Sequence, residues 1–286
     1  MIHEIFPKSL DNQYHKEISP EDDDFVLIFK RHDVLIKDSD LIEFPSVGQF
    51  RTVSDDKDLR YLFRIDDKKY FASPSAIESD GAGDVESLGI QGFKYANVRN
   101  LRAVLAKPKD RLFAAITGKH ICDWYRDNVY CGRCGQKMHH SEIERAMVCD
   151  CGYTCYPRIM PAVIVAVTNG DKILLTKYSS GYKHYALIAG FNEIGETLEE
   201  TVSREVMEEV GLKVKNITYY KSQPWGIAND LLAGYFCELD GDDKITLDER
   251  ELAHAEWVDR KDVPGHYDDF ALTNEMMMYF AGKFTR

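Results

Sequence analysis

Apolar residues recur along this chain of 286 residues in two rhythms, one of strand type and one of helix type. Phe25–Phe29 and Val34–Ile36 are short apolar runs of strand length. Tyr61–Ile65 and Tyr70–Ala72, split by the polar Asp66-Asp67-Lys68-Lys69, predict a hairpin. Val98, Leu101 and Leu105 then recur at helical spacing and stop before Pro108, which disfavours helix in the residue before it. A second helix is expected over about Asp110 to Arg126, with Leu112, Ile116 and Trp124 on one side. From there the rhythm alternates. Strands are predicted near Ala162–Thr168, Lys172–Lys177, Ile217–Tyr220, Leu231–Glu238 and Ala255–Val258, with helices near Thr197–Val210 and Leu272–Gly282. Ser73–Asp84, rich in Ser, Gly and Asp, reads as a surface loop, and the acidic run Glu21–Asp24 as a solvated face. Mixed strands and helices in this order predict an α/β or α+β sandwich.

Length and composition narrow the class. The chain is long enough for one large or two smaller domains, and 44% apolar with 29% charged is an ordinary globular balance. Its longest apolar run, Pro161–Val167, falls far short of the roughly 20 residues a spanning helix needs. The opening Met1-Ile2-His3-Glu4 lacks a basic and apolar leader pattern, so a cytoplasmic location is expected. A net charge of −12 speaks against a protein that wraps nucleic acid by neutralising phosphates. It leaves room for nucleotides held through a divalent cation, which itself supplies the positive charge.

Six of the seven cysteines, all but Cys237, lie between Cys122 and Cys155. An odd, clustered set with C-x-x-C spacing points to metal rather than to a disulfide framework. Cys131-x-x-Cys134 is a knuckle on a Gly-containing turn. Cys149-x-Cys151 and Cys155 follow after a short hairpin-length spacer. Two knuckles of this kind make a structural zinc ribbon with four sulfurs set tetrahedrally around Zn²⁺. Either Cys149 and Cys151 complete the set, or Cys155 replaces one of them. A closed four-sulfur site has no open position for chemistry, so no catalytic role is assigned to it.

The densest chemistry lies in Gly190–Leu212. Thr197 followed by Glu200 is a capping-box start, and Gly211 a C-terminal stop. Leu198, Val202, Val206 and Val210 recur every four residues as a buried stripe. Glu205, Glu208 and Glu209 stand at i, i+3 and i+4, within about one 100° arc. Carboxylates crowded in this way repel one another unless cations are present, and Mg²⁺ or Mn²⁺, hard cations that favour oxygen ligands, suit them. The full pattern Gly190-x5-Glu196-x7-Arg204-Glu205-Val206-x-Glu208-Glu209-x-Gly211-Leu212 resembles the Nudix box at all nine specified positions. That resemblance implies an α/β/α sandwich and metal-dependent hydrolysis of a nucleoside diphosphate linked to another moiety. It further implies Glu205 and Glu209 as metal ligands, Glu208 as ligand or water activator, the Ala189 carbonyl as a further ligand, and Arg204 as the group orienting the carboxylates.

Features outside the box resemble the NADH pyrophosphatase branch of the Nudix family, which carries a four-cysteine zinc ribbon before the catalytic domain. Ser222-Gln223-Pro224-Trp225 with Leu231-Leu232-Ala233-Gly234-Tyr235 resembles its specificity array. Tyr156-Pro157-Arg158-Ile159-Met160-Pro161 resembles its link from ribbon to catalytic domain, and Ile143-Glu144-Arg145-Ala146-Met147 its approach to the second knuckle. The resemblance implies hydrolysis of NAD(H) to NMN(H) and AMP, removal of NAD caps from RNA, and a homodimer. Phe191, Tyr156 and Trp225 are the aromatic faces available for stacking; Gln223 is expected to read a base or amide edge, with Pro224 and Glu144 among the substrate-binding positions. Glu251 matches the branch's metal-binding glutamate outside the box, and Ala271 falls where the family places a backbone contact. The branch continues its array with Pro-Phe-Pro and then a Ser, where this chain has Gly226-Ile227-Ala228-Asn229-Asp230. The expected organisation is an N-terminal, mostly β domain over 1–118, a connecting helix and zinc ribbon over 119–158, and an α/β Nudix catalytic domain over 159–286. Two other readings are a Nudix hydrolase of ADP-ribose or another nucleoside diphosphate derivative, and a nucleotide- or RNA-binding module on an idle Nudix fold. All the box glutamates are present, which disfavours the last.

Overall fold

The computed structural model describes residues 1–55, 59–73, 90–181, 184–265 and 269–283. The loop expected over Ser73–Asp84 lies, but for Ser73, outside the described residues. Two compact units emerge: Ile2–Arg158 with Gly226–Asn229, and Ile159–Trp225 with Asp230–Arg286 and Met1. No helix among the described residues is long and apolar enough to cross a membrane.

The first unit is mostly β. Its strands are β1 (Leu10–Asp11), β2 (Phe25–Leu27), β3 (Phe29–Lys30), β4 (Asp33–Lys37), β5 (Arg60–Ile65), β6 (Lys68–Ala72) and β7 (Phe93–Asn97). They form one sheet in the order β1-β5-β6-β2 and another in the order β3-β4-β7. The expected hairpin is β5 against β6. A short helix, α1 (Val47–Arg51), supplies Val47 and Phe50 to a core with Val26, Ile28, Leu35, Tyr61 and Phe71. Helix α2 (Val98–Ala103) stops earlier than the apolar spacing suggests. Leu105 takes a left-handed backbone, φ 52°, and the Ala106 N–H reaches back to the Leu101 carbonyl at 2.9 Å. Helix α3 (Lys109–Asp127) buries Leu112, Ile116 and Trp124 as expected, and runs unbroken through residues 118 and 119. Three two-residue strands follow, β8 (His139–His140), β9 (Met147–Val148) and β10 (Thr154–Cys155), in the order β10-β9-β8.

The second unit is built on one mixed sheet of β11 (Met160–Asn169), β12 (Lys172–Tyr178), β13 (Ile188–Phe191), β14 (Val214–Trp225), β15 (Asp230–Leu239) and β16 (Leu252–Asp259). The order is β14-β15-β11-β12-β16, with β13 pairing β11; β11 and β15 run parallel. Successive side chains of a strand point to opposite faces, so each strand feeds two cores. Val163, Val165, Val167, Ala233 and Tyr235 pack with Val202, Val206 and Val210 of α4 (Leu198–Val210). Ile164, Ala166, Leu232 and Phe236 pack instead with Leu272, Met276 and Met277 of α5 (Leu272–Phe280). The result is an α/β/α sandwich. Hairpin contact between β11 and β12 is confined to Thr168–Ile173 and Asn169–Lys172; β13 takes the place beside β11 from Ala162 to Val165.

One glycine in α3 marks a close approach. A Cβ at Gly118 would run into the Leu27 side chain of β2, so the residue lets helix and strand meet despite the roughly 1 kcal/mol that glycine costs mid-helix. Gly118→Val should destabilise the protein by about 1–3 kcal/mol through overpacking. Chemical denaturation would read this as a lower midpoint, and an unchanged midpoint would refute the packing account.

Candidate active site

The loop–helix–loop of residues 190–212 follows directly from its sequence. Thr197 accepts from the Glu200 N–H at 3.2 Å while the Glu200 carboxylate accepts from the Thr197 N–H at 2.7 Å, closing the capping box. Gly211 ends α4 with φ 70°. The valine stripe holds one face of the helix against the sheet, which leaves Glu205 and Glu209 at its flank and Glu208 facing solvent.

Arg204 gathers the loop and the carboxylates. Its Nε and Nη2 donate to the two Glu196 oxygens at 2.7 and 2.9 Å. Nη1 donates to Glu205 at 2.7 Å and to Glu208 at 3.1 Å, and Nη2 also reaches the Phe191 carbonyl at 2.9 Å. Held in this fork, Glu196 titrates far below the ordinary carboxylate range, at about 2. The guanidinium is shifted upward by the same contacts, Glu196 first. Thr201, wholly buried, adds a hydroxyl 2.9 Å from Glu196 and accepts from Asn192 at 2.8 Å. Neither Asn192 nor Thr201 was anticipated as a site residue. The signal for Thr201 was a polar residue beside the buried stripe.

Glu209 is the opposite case. It is 2% exposed, and neither carboxylate oxygen has a hydrogen-bond partner. Burial, reinforced by the charges of Glu205, Glu251 and Asp248, raises its pKa to about 8; the nearby Ala189 backbone amide pulls the other way without reaching hydrogen-bond geometry. Glu205 is also pushed upward, by burial first and by Glu208 and Glu251, against the pull of Arg204. A buried, unpartnered carboxylate beside a second one is costly unless a cation completes it. Gly190 leaves room there: a Cβ at that position would land on the Glu205 carboxylate. Glu205, Glu208, Glu209 and Glu251 offer the oxygen donors a hard divalent cation takes, and Glu251 lies near enough to Glu205 and Glu209 to raise the pKa of both; among the described residues their oxygens do not converge as the cysteine sulfurs do.

A family model described as the NUDIX domain matches residues 158–278. The chain carries a Nudix domain. It is 44% identical over 159 residues to the NAD-capped RNA hydrolase NudC of Escherichia fergusonii, covering 54% of this chain and 61% of that protein. Against the NAD-capped RNA hydrolase NudC of Erwinia tasmaniensis the identity is 40% over 172 residues, or 59% and 65%. The chain thus spans less than two thirds of the length of these relatives. A crystal structure of a NUDIX hydrolase from Nitrosomonas europaea aligns at 20% identity with a TM-score of 0.46, covering 53% of this chain and 89% of that one.

Within the Nudix domain the residues expected to meet substrate part company. Phe191 is half exposed at the end of β13, Pro224 is exposed and Trp225 half-buried at the end of β14. Gln223, expected to read a base edge, has no exposed surface. Its amide donates to the Phe270 carbonyl at 2.6 Å and accepts from the Leu272 N–H at 2.8 Å. Both ends serve the backbone that starts α5, so Gln223 positions Ala271 and its neighbours and has no edge left to present. Tyr156 and Glu144 lie in the first unit, where the Tyr156 hydroxyl donates to the Glu144 carboxylate at 3.0 Å.

The first unit also gathers Cys131, Cys134, Cys149 and Cys151 with all four sulfurs within 4.8 Å of one another, the sole such set among the described residues. Cys131 and Cys151 sulfurs are 3.7 Å apart, and those of Cys134 and Cys149 3.5 Å. Thiolates at the corners of a tetrahedron around an ion about 2.3 Å away would stand roughly 3.8 Å apart. Cys155 is outside the set and donates to Asn128 at 3.0 Å. The one-residue gap between Cys149 and Cys151 closes through the Gly152 N–H on the Cys149 carbonyl at 2.9 Å. None of the seven cysteines is in a disulfide.

The Glu209 shift makes cation affinity depend on pH. A cation takes the carboxylate form, so affinity should rise up to about tenfold per pH unit toward about 8 and then level off, with proton release on binding. The same shift works against folding: between about 4.5 and 8 the folded chain holds a proton the unfolded chain has lost, so cation-free stability falls as pH rises through that window. Calorimetry with Mg²⁺ or Mn²⁺ from pH 5.5 to 8.5 tests this. A slope that is absent, or that survives Glu209→Gln, would contradict it.

Proposed function

We propose that this protein hydrolyses the pyrophosphate bond of NAD(H), giving NMN(H) and AMP, and that it also removes NAD caps from RNA. The observation that carries the reading is the buried, unpartnered Glu209 beside an Arg204-held Glu205 inside a full Nudix box. Similarity to NAD-capped RNA hydrolases supports the choice of substrate. In this reading residues 1–118 form an N-terminal domain, 119–158 a connecting helix and zinc ribbon, and 159–286 the catalytic domain. The protein works as a cytoplasmic homodimer. The clustered, metal-type cysteine spacing supports a reducing compartment, and the family resemblance supports the dimer.

Mg²⁺ or Mn²⁺ is the catalytic cation, held by Glu205, Glu209, Glu251 and the Ala189 carbonyl, with Glu208 as a further ligand. Bound there, it supplies polarisation of the phosphoryl oxygens, charge neutralisation on the leaving phosphate and activation of water for in-line attack. The chain's own residues set the stage. Arg204 fixes the Glu205 and Glu208 carboxylates in place through Nη1, and Glu196 fixes Arg204. Glu208, the most exposed of the three, takes the proton of the attacking water; its exposure supports this role. Phe191 and Trp225 stack on the rings and Pro224 shapes the pocket wall; Tyr156 and Glu144, hydrogen-bonded to each other in the first unit, are substrate-binding residues on the family resemblance. Gln223 acts by holding the Phe270–Leu272 backbone.

Product analysis with NADH, NAD⁺, ADP-ribose and NAD-capped RNA, each with Mg²⁺ or Mn²⁺, tests the activity. Equal yields of NMN(H) and AMP are expected, with losses of at least about a hundredfold in Glu208→Gln and Glu209→Gln. Turnover of ADP-ribose alone would keep the chemistry and reject the dinucleotide.

For the cysteine cluster, metal analysis of the purified protein should return one zinc per chain. Cys134→Ser should lose it and Cys155→Ser should keep it. Zinc retained in the first variant, or lost in the second, would rule out the ligand set.

A further inference from the structure

The glutamates of the candidate cation site come from two separate parts of the chain. Glu205, Glu208 and Glu209 share α4, whereas Glu251 ends the segment that leads into β16. Helical spacing fixes the first three relative to one another, but no local feature fixes the fourth. Electrostatics works against bringing it there. Residues 248–251 carry Asp248, Glu249 and Glu251 to the C-terminal end of α4, where the helix dipole disfavours negative charge and the last turn holds no basic residue. Glu251 also stands close enough to Glu205 and Glu209 to raise the pKa of both.

Hydrogen bonds hold the segment in place against that repulsion. The Thr246 N–H donates to the Val210 carbonyl and the Asp248 N–H to the Glu209 carbonyl, both at 2.9 Å. Carbonyls that the end of α4 leaves open are thereby closed by this segment. Ile245 and Leu247 pack against the α4 core, and the Trp257 indole N–H donates to the Asp243 carbonyl at 3.0 Å. At Asp248 the chain turns, its carbonyl accepting from the Glu251 N–H at 3.2 Å and the Leu252 N–H at 3.0 Å. The Asp248 carboxylate closes the same turn. Its Oδ1 accepts from the Arg250 N–H and from Nε, each at 3.0 Å, and its Oδ2 from Nη2 at 2.5 Å. Ser179, which follows β12, grips the turn from the other side. Its N–H donates to the Glu251 carbonyl at 2.9 Å and its hydroxyl to the Arg250 carbonyl at 3.1 Å. Glu251 is thus tied at one end to the backbone of Glu209 itself and at the other to the end of β12.

We infer, on the reading of Glu251 as a ligand of the catalytic cation, that Asp248 and Ser179 are positioning residues that set Glu251 against Glu209. Asp248 passes the place of Glu209 to Glu251 through its own amide and carbonyl, and its carboxylate keeps the turn in the shape this requires. Ser179 fixes the far side of the turn. Neither residue belongs to the Nudix box or to the positions matched outside it.

Calorimetry with Mn²⁺ alone, on the full-length folded protein, tests this whatever substrate is hydrolysed. Asp248→Ala should weaken Mn²⁺ binding by about tenfold or more, as loss of a group that orients a metal ligand does. Ser179→Ala should weaken it by a smaller factor, because the Ser179 N–H bond to Glu251 survives. Asp248→Asn, whose side-chain oxygen still accepts from the Arg250 N–H, should stay within about threefold of wild type. In a Glu251→Gln background Asp248→Ala should cost less than about a further twofold, since a residue acting through Glu251 has nothing left to position. A group that only stabilised the fold would lower the thermal midpoint in every background and leave the Mn²⁺ affinity of the folded protein unchanged. That result, or losses that multiply in the double variant, overturns the inference. Should Asp248→Ala not fold, Ser179→Ala and its double variant with Glu251→Gln decide on the same criterion. Wild-type affinity in Glu251→Gln overturns the ligand reading itself. Weakened binding in Glu251→Gln, with none lost in Asp248→Ala or Ser179→Ala, overturns the positioning role alone.

Discussion

Burying a carboxylate without a partner is among the least favourable things a folded chain can do, and the Nudix domain does so with Glu209 at the flank of its central helix. Much of the neighbouring structure makes that placement sustainable. The valine stripe of α4 and the capping box at Thr197 hold the helix against the sheet whatever the charge state of its flank. Gly190 leaves the space that Glu205 occupies. Arg204 holds the second and third carboxylates in position by hydrogen bonds, yet makes no such contact with Glu209. That division matters for a metal site. One acidic group is left electrostatically unsatisfied for the cation, while its neighbours are held by a cation that belongs to the protein.

The sandwich also separates two kinds of chemistry. Because strand residues alternate between faces, the α4 side of the sheet carries the carboxylates, and the α5 side carries Phe191, Trp225 and Asp230. Toward the Met160 end β13 takes the place beside β11 that β12 holds at Thr168 and Asn169. A substrate with a pyrophosphate joined to flat rings has the same two parts. Gln223 fixes both the Phe270 carbonyl and the Leu272 amide at the start of α5.

The four-cysteine cluster follows a different logic. Its sulfurs converge to near-tetrahedral separations with no disulfide among them, while Cys155 bonds to Asn128. In a unit whose strands at this cluster are two residues long, a central ion would replace the apolar core that such short strands cannot build.

Local pattern determined much of this protein. Periodicity and caps located α3 and α4 to within a residue or two, because an amphipathic helix and its capping groups are short-range features. Fixed spacing along α4 likewise put three glutamates on one arc and Arg204 within reach of Glu208. Other outcomes needed the assembled structure. The strand β13 was hidden within a stretch expected to be loop, since its pairing with β11 is a long-range contact. The choice of Cys151 over Cys155 depended on the turn closed by Gly152, which spacing rules left open. Gln223 looked like a reader of substrate and proved to be wholly buried, and Asp230, which the sequence marked only as part of a departure from the family array, proved to be buried. Side-chain burial depends on which strands become neighbours, and a linear sequence does not carry that information locally.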